Sequence, residues 1–224
     1  MIHRTKLSDR SLPAYSRGEE TMNMVTHIVG GGLGVLVLAM CLIKSIHQGC
    51  ARDIVGSVIY GCSMIALYTA SSVYHGLLPC FGKKVMQVVD HCTIYFLIAG
   101  TYTPILLSAF IPKYPLLGWG MLAGQWIPAV VAATLTAIDL KRYRVVSMIC
   151  YIFTGWEIIF FLPQAITVLT PAGFGVLLAG GIAYTLGAIL YGIGSKHPWF
   201  HSVFHIFVVL GSILQFLAIY MFVI

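Results

Sequence analysis

Seven apolar runs separated by short polar breaks constrain this chain more than any other feature of its sequence. A helix needs about 20 mostly apolar residues to cross the hydrocarbon core of a bilayer, and each run has roughly that length. The chain is 59% hydrophobic and only 9% charged, whereas a soluble domain carries about 25% charged residues. The sequence therefore predicts an integral membrane protein. The runs are 24–46, 54–78, 85–110, 117–138, 145–168, 174–194 and 200–223.

The breaks between the runs carry turn residues or charges, and their shortness predicts that consecutive helices are antiparallel neighbours. No internal repeat or linker divides the chain. We therefore expect an all-α membrane protein with a seven-transmembrane helix bundle. Residues 21–224 are predicted to form its single membrane domain, and residues 1–20 a polar amino-terminal tail. That tail lacks the features of a cleavable signal peptide, so the first run is expected to remain as a membrane helix.

The distribution of Lys and Arg predicts the orientation of the bundle. Of the 13 Lys and Arg residues, only Lys44, Arg52 and Lys113 fall on the side opposite the amino terminus. Because cytoplasmic loops carry the excess of Lys and Arg, the amino terminus is predicted to be cytoplasmic and the carboxyl terminus outside. The net charge of +6 is then explained by orientation, and no nucleic-acid partner is expected. The remaining basic residues are Arg4, Lys6, Arg10, Arg17, Lys83, Lys84, Lys141, Arg142, Arg144 and Lys196.

Three histidines and one aspartate fall in the layer just under the predicted cytoplasmic surface. His75 ends the second run, Asp90 lies near the start of the third, and His201 and His205 begin the seventh. Ionisable groups at such depth are costly and tend to be functional. The spacing of His201 and His205 places both rings on one face of a helix. Three His with one position open to water are typical of catalytic zinc, so Zn²⁺ is the predicted cofactor. Asp90 would then bond to that water or act as its base.

Other polar groups near this layer are interpreted more conservatively. Ser71 lies one turn before His75 and could orient Asp90 or a ligand ring. His27, in the first run, is interpreted as a hydrogen-bonded packing residue. His91 points about 100° away from Asp90 on a helix of 3.6 residues per turn, so the two are not expected to be direct ligands together.

Glu157 lies near the middle of the fifth run, within GWEIIFF and away from the histidine layer. Two interpretations remain open for this intramembrane acid. One is a proton relay, which would favour a transporter, and the other is a neutral side chain hydrogen-bonded to a neighbouring helix.

Four motifs in combination resemble the hemolysin III-type proteins of the progestin and adiponectin receptor superfamily, from about Glu19 to the carboxyl terminus. The resemblance implies a seven-helix bundle with a cytoplasmic amino terminus. It implies zinc held by three His, an Asp linked to the metal-bound water, and a bacterial inner-membrane location. The departures from the pattern are Gln215, where bacterial relatives often have a further His, and the acid at Glu157. The motifs are EETMNMVTH with Glu20, Asn23 and His27; SSVYH with Ser71 and His75; DHCTIYFLIAGTYTP with Asp90; and HSVFH with His201 and His205.

The resemblance implies that Asp90 and Ser71 support zinc on the three His, with Glu20, Asn23, His27 and His91 in second-shell or structural roles. A related group, the alkaline ceramidases, hydrolyses lipid amides with a comparable site. We therefore expect a zinc-binding protein of membrane lipid homeostasis, with membrane lipids as partners and with possible hydrolysis of lipid amides or esters. The alternatives are a non-catalytic membrane sensor or regulator with structural zinc, and a cytolysin-type protein.

Overall fold

The computed structural model describes residues 5–194 and 197–224, and all regular structure in these residues is helical. Arg4 and Lys196 of the charge count lie outside the described residues. A short 3₁₀ turn at Leu7–Asp9 precedes the long helices. Those helices are α1 (Arg17–Gln48), α2 (Ala51–Gly76), α3 (Phe81–Pro104), α4 (Pro115–Ile138), α5 (Arg144–Gly155), α6 (Leu162–Gly194) and α7 (Phe200–Phe222).

The first helix begins earlier than the apolar pattern predicts. Helix α1 starts at Arg17, inside the stretch predicted as a polar tail, because Ser16 and Glu19 form a capping box that satisfies free backbone N–H groups. At its other end, Gly49 adopts a left-handed conformation with φ 69°, which any other L-residue would adopt only at a cost. Polar residues of the tail therefore become the first turns of a membrane helix, which brings Glu20 into the layer of the histidines.

Prolines and glycines mark the other boundaries. Helix α3 runs past Pro104 into a π-helical turn, Ile105–Phe110, and a further turn, Ile111–Lys113, before Pro115 begins α4. A proline deprives the helix of a backbone donor, and π-helical turns are one way in which a long helix absorbs such a defect. The third apolar run thus becomes a continuous but irregular helical stretch.

The described residues contain six helical stretches that are long and apolar enough to cross a membrane. The fifth and sixth runs form one of them, the 51-residue stretch Arg144–Gly194. It is not a uniform α-helix. A 3₁₀ segment, Glu157–Phe161, separates α5 from α6, and Thr170 within α6 has the non-helical angles φ 63° and ψ 161°. Glu157 therefore lies at an interruption of the helix, not in the middle of a regular one as the sequence pattern predicted.

Helix α1 packs between α2 and α7, while α3 joins α2 to α4, and α6 packs along α7. The interior between them is filled by aromatic and aliphatic side chains such as Tyr60, Tyr68, Phe110 and Ile219, each at most 1% exposed. The start of α1, the end of α2 and the starts of α3 and α7 meet at one end of the molecule. That end holds the candidate site.

Candidate metal centre

Three imidazole rings converge at the junction of α2 and α7. His201 and His205 lie one turn apart on α7, and their Nε2 atoms are 3.0 Å apart. The Nε2 atom of His75, at the end of α2, lies 3.4 Å from that of His201. One ring nitrogen from each residue lies within 4.8 Å of the others, and all three residues are buried. The sequence-predicted ligand set is therefore brought together as a group that could hold a metal ion.

Two of the three separations between these nitrogens fit a small tetrahedral ion. Two imidazole nitrogens at about 2.05 Å from one Zn²⁺, at the tetrahedral angle, are about 3.3 Å apart. The observed separations of 3.0 and 3.4 Å bracket that value. Imidazole nitrogen is also a ligand type that suits several transition metals, among them zinc.

Glu20 fixes which nitrogen of His75 faces the cluster. Its Oε2 accepts a hydrogen bond from His75 Nδ1 at 2.6 Å. The Nδ1 atom therefore carries the proton, and the Nε2 lone pair points toward His201. A carboxylate behind a ligand histidine is a recurring arrangement at metal sites. Asn23, fully buried, lies with its amide nitrogen 3.4 Å from the same Nδ1.

Lys83 holds Glu20 in place. The Lys83 ammonium donates to Glu20 Oε1 at 2.7 Å and to the Leu77 carbonyl at 2.8 Å, and the residue is only 3% exposed. The charge pattern of the sequence indicated Lys83 only as a loop charge. The spacing could have indicated that Lys83 lies near the site, because it precedes Asp90 by seven residues and so shares its face of α3.

His27 packs directly on the cluster. Its ring stacks on that of His205 with centroids 3.8 Å apart and contacts Tyr68 edge-on at 5.0 Å. Both ring nitrogens of His27 are buried without a hydrogen-bond partner in the part of the chain that the structure describes. His27 was expected to be a hydrogen-bonded packing residue. It packs in the interior, but the expected hydrogen bonds are wrong, because its ring contacts other rings.

Asp90, Ser71 and His91 border the cluster without joining the converging nitrogens. Asp90 and Ser71 are 8% and 1% exposed and line the same cavity as His201 and His205. His91 Nδ1 lies 3.8 Å from Asp90 Oδ2. Its ring donates from Nδ1 to the Gln87 carbonyl at 2.8 Å, and its Nε2 lies 3.3 Å from the Tyr191 hydroxyl.

The amino-terminal segment, residues 5–16, covers the end of the cluster away from the bilayer-spanning helices. The Tyr15 ring stacks on His201, with centroids 4.9 Å apart and planes 18° from parallel, and burial raises the pKa of its phenol. The Thr5 amide donates to Asp139 Oδ2 at 2.9 Å, and this bond holds the pKa of Asp139 below its usual range. Arg10 donates to the Ile138 carbonyl at 3.1 Å. No periodicity in this polar segment indicated the stacked position of Tyr15.

A cavity of about 200 Å³ leads from the histidines into the membrane-spanning part of the molecule, between α3, α5, α6 and α7. Ser71, Asp90, His91 and Tyr191 provide polar groups at the histidine end. Farther along, the lining is mainly apolar, with Leu97, Ile98, Ile105, Phe174 and Leu177. Such a cavity suits a ligand with a polar head and an apolar chain.

Glu157 belongs to a different polar group. Gln125 of α4, fully buried, donates from Nε2 to Glu157 Oε2 and to the Thr154 carbonyl. The carboxylate lies so close to α4 that a Cβ at Gly124 would be 2.6 Å from its Oε1. This contact joins the interruption between α5 and the 3₁₀ segment to a neighbouring helix, apart from the three histidines.

Together, the long apolar helices and the buried histidine cluster define an integral membrane protein of all-helical fold with a potential metal centre. The family model of the haemolysin-III related proteins matches residues 15–216. The chain therefore belongs to the haemolysin III family.

Similar proteins come from bacteria and mammals. The chain is 37% identical to Hemolysin-3 of Bacillus cereus over 205 residues, which cover 92% of each chain. It is 36% identical to the Hemolysin-3 homolog of Bacillus subtilis (strain 168), over 90% of this chain and 92% of that protein. It is 25% identical to the human monocyte to macrophage differentiation factor, over 98% of this chain and 90% of that protein.

Proposed function

We propose that this protein is a zinc-dependent lipid hydrolase of membrane lipid homeostasis, which cleaves a lipid amide or ester. The observation that carries the proposal is the convergence of His75, His201 and His205 at the polar end of an apolar cavity. Membrane lipids are its proposed partners. The bacterial inner membrane is its proposed location, and the bacterial relatives support an integral membrane protein.

The proposed topology is a single seven-helix membrane domain over residues 21–224, with its amino terminus in the cytoplasm and its carboxyl terminus outside. At about 1.5 Å per residue, the 51-residue stretch Arg144–Gly194 would be roughly 75 Å long as one helix. The hydrocarbon core is only about 30 Å thick, so two crossings account better for its length. The non-helical angles at Thr170, directly before Pro171, support a turn there.

His75, His201 and His205 would hold the ion through their Nε2 atoms, and Glu20 would orient the His75 ring. Bound zinc supplies Lewis-acid polarisation of a carbonyl and activation of water near neutral pH. His27, His75 and His201 are buried, and burial strengthens each electrostatic contact at the site.

In the proposed reaction, the lipid lies with its acyl chain in the cavity and its amide or ester carbonyl beside the histidines. Asp90 takes a proton from the attacking water as a new C–O bond forms at the carbonyl carbon. Asp90 then returns that proton to the leaving nitrogen or oxygen as the old bond breaks. The products are a fatty acid and an amine or alcohol. Ser71, which lines the same cavity, would orient Asp90.

The test compares purified wild-type protein with Asp90→Asn, with mass spectrometry of products from ceramide and phospholipid vesicles. Because a general base contributes about 10²–10⁴-fold, Asp90→Asn is expected to lower fatty acid release by that factor while metal content is kept. Glu157→Gln serves as the matched carboxylate control and should retain activity. Equal release from wild type and Asp90→Asn would contradict the catalytic role.

A second candidate is a non-catalytic sensor or regulator in which zinc is structural. Its supporting observation is that the cluster connects three helices, through Glu20 of α1, His75 of α2 and His201 of α7. A metal there would fasten the bundle. A large loss of thermal stability on chelation, without any lipid product from the wild type, would favour this function.

A further inference from the structure

Gln215 is a buried amide whose nitrogen donates a hydrogen bond while its oxygen accepts none from the described residues. It is 7% exposed and lines the cavity from α7, far from the histidines. Its Nε2 donates to the Leu177 carbonyl of α6 at 3.1 Å, whereas its buried Oε1 accepts no hydrogen bond from residues 5–194 or 197–224.

The orientation of this amide is fixed by chemistry. A carbonyl oxygen can only accept, so the atom next to the Leu177 carbonyl must be the amide nitrogen, and Oε1 must point the other way. The side chain also fills space that only glycine leaves open, because a Cβ at Gly180 would be 2.7 Å from Gln215 Nε2. Gln215 is therefore held in place, while its Oε1 remains able to accept a hydrogen bond.

The neighbouring hydroxyls do not supply the missing donor. Tyr184 and Tyr68 both bond to Ser212, at 2.8 and 2.6 Å, and Tyr68 also reaches the Val208 carbonyl at 3.3 Å. In the row of hydrogen bonds from Tyr184 through Ser212 and Tyr68 to the Val208 carbonyl, each of the three hydroxyl groups donates its single proton. A buried acceptor without a partner is unfavourable, so a ligand that brings a donor gains a hydrogen bond that the protein alone does not make.

From these contacts we infer a second polar subsite, at Gln215, that selects acyl chains with a hydroxyl group in their distal half. The inference rests on the proposed function, because it takes the chain to extend from the histidines along the cavity. Gln215 follows His205 by ten residues on α7, which is about 15 Å at 1.5 Å per residue. That is about half of the roughly 30 Å hydrocarbon core, or the length of one acyl chain in a leaflet. A hydroxyl near the chain end would thus reach Gln215, whereas one beside the carbonyl would not.

The test measures the binding of palmitate, alpha-hydroxypalmitate and omega-hydroxypalmitate to purified, metal-loaded full-length protein in detergent. One hydrogen bond is worth about 0.5–1.5 kcal/mol, so omega-hydroxypalmitate should bind the wild type about two- to twelvefold more tightly than palmitate. In Gln215→Met, which keeps an apolar chain of similar length, that preference should disappear or reverse. The ratio of the two affinities within one variant is insensitive to a partial loss of folded protein.

Tyr60→Phe is the matched control. The Tyr60 hydroxyl is also buried without a hydrogen-bond partner, but Tyr60 does not border the cavity. This variant should keep the wild-type ratio, and alpha-hydroxypalmitate should show no dependence on Gln215. If wild type and Gln215→Met show the same ratio, the subsite is wrong although the cavity holds chains. If none of the three acids binds, both the subsite and the proposed lipid function are contradicted.

Discussion

At the scale of single residues, His75 is the most informative side chain. Its two ring nitrogens have different partners, with Nδ1 on the Glu20 carboxylate and Nε2 facing His201. Lys83 balances the charge of that carboxylate and ties it to the end of α2. Together these contacts place a ring proton on Nδ1 and direct Nε2 at the cluster, where a metal ligand needs its lone pair.

This arrangement predicts the effect of Glu20→Gln. Loss of the carboxylate behind a ligand histidine lowers metal affinity by about 10–100-fold, so zinc should bind that much more weakly in a competition titration with a chelator. Glu157→Gln removes another intramembrane carboxylate, but one that contacts Gln125 instead of the histidines. It should leave the zinc affinity unchanged. Equal affinities in wild type and Glu20→Gln would exclude this role for Glu20.

Some residues of the candidate site could be predicted from the sequence, and others could not. The spacing of His201 and His205 and the positions of His75 and Asp90 at run ends were sufficient to indicate the cluster. Tyr15 and the stacking of His27 on His205 were not accessible, because they depend on how three helix ends meet. Sequence periodicity describes one helix at a time and contains no distance between helices.

At the scale of elements, close helix contacts at glycines position the cluster. Gly30 of α1 faces the Tyr68 ring of α2, and a Cβ at Gly30 would be 2.5 Å from that ring. Tyr68 is fully buried and is held by Ser212 of α7, so the ring has no free space to move into. Helix α1 therefore approaches α2 closely only because this residue lacks a side chain.

Gly30→Ala should consequently destabilise the protein. Overpacking of a filled interior costs about 1–3 kcal/mol, and a lower apparent Tm is expected for the protein in detergent. Gly32→Ala is the matched control, because a Cβ at Gly32 meets nothing within 4 Å. A Tm for Gly30→Ala equal to that of Gly32→Ala would show that the two helices are not in close contact at this point.

Apolar periodicity predicted the existence of the helices better than their ends. Helix α1 begins at Arg17 because of the hydrogen bonds of Ser16 and Glu19, and the run containing Glu157 is interrupted near Trp156. The first of these differences arises from hydrogen bonds of polar groups, which a hydropathy average does not represent. The number of crossings in Arg144–Gly194 depends on the backbone at Thr170, a single residue in an apolar sequence.

At the scale of the whole molecule, the seven-span topology is a prediction that reporter fusions can test. A reporter that is active only outside the cytoplasm should be active when fused after Ile224, and one that is active only inside should be active before Met1. The reason is the excess of Lys and Arg on the amino-terminal side together with an odd number of crossings. Both termini on the same side would contradict seven spans and would favour an even number.

Metal analysis of the purified protein tests whether the three histidines bind one zinc ion. About one zinc ion per chain is expected for the wild type, because the three His form one site. His75→Ala, His201→Ala and His205→Ala should each contain little zinc, since each substitution removes one of the three converging nitrogens. His91→Ala should retain the wild-type content, because its ring contacts Gln87 and Tyr191 instead. Zinc content in His205→Ala equal to that of the wild type would contradict the claim.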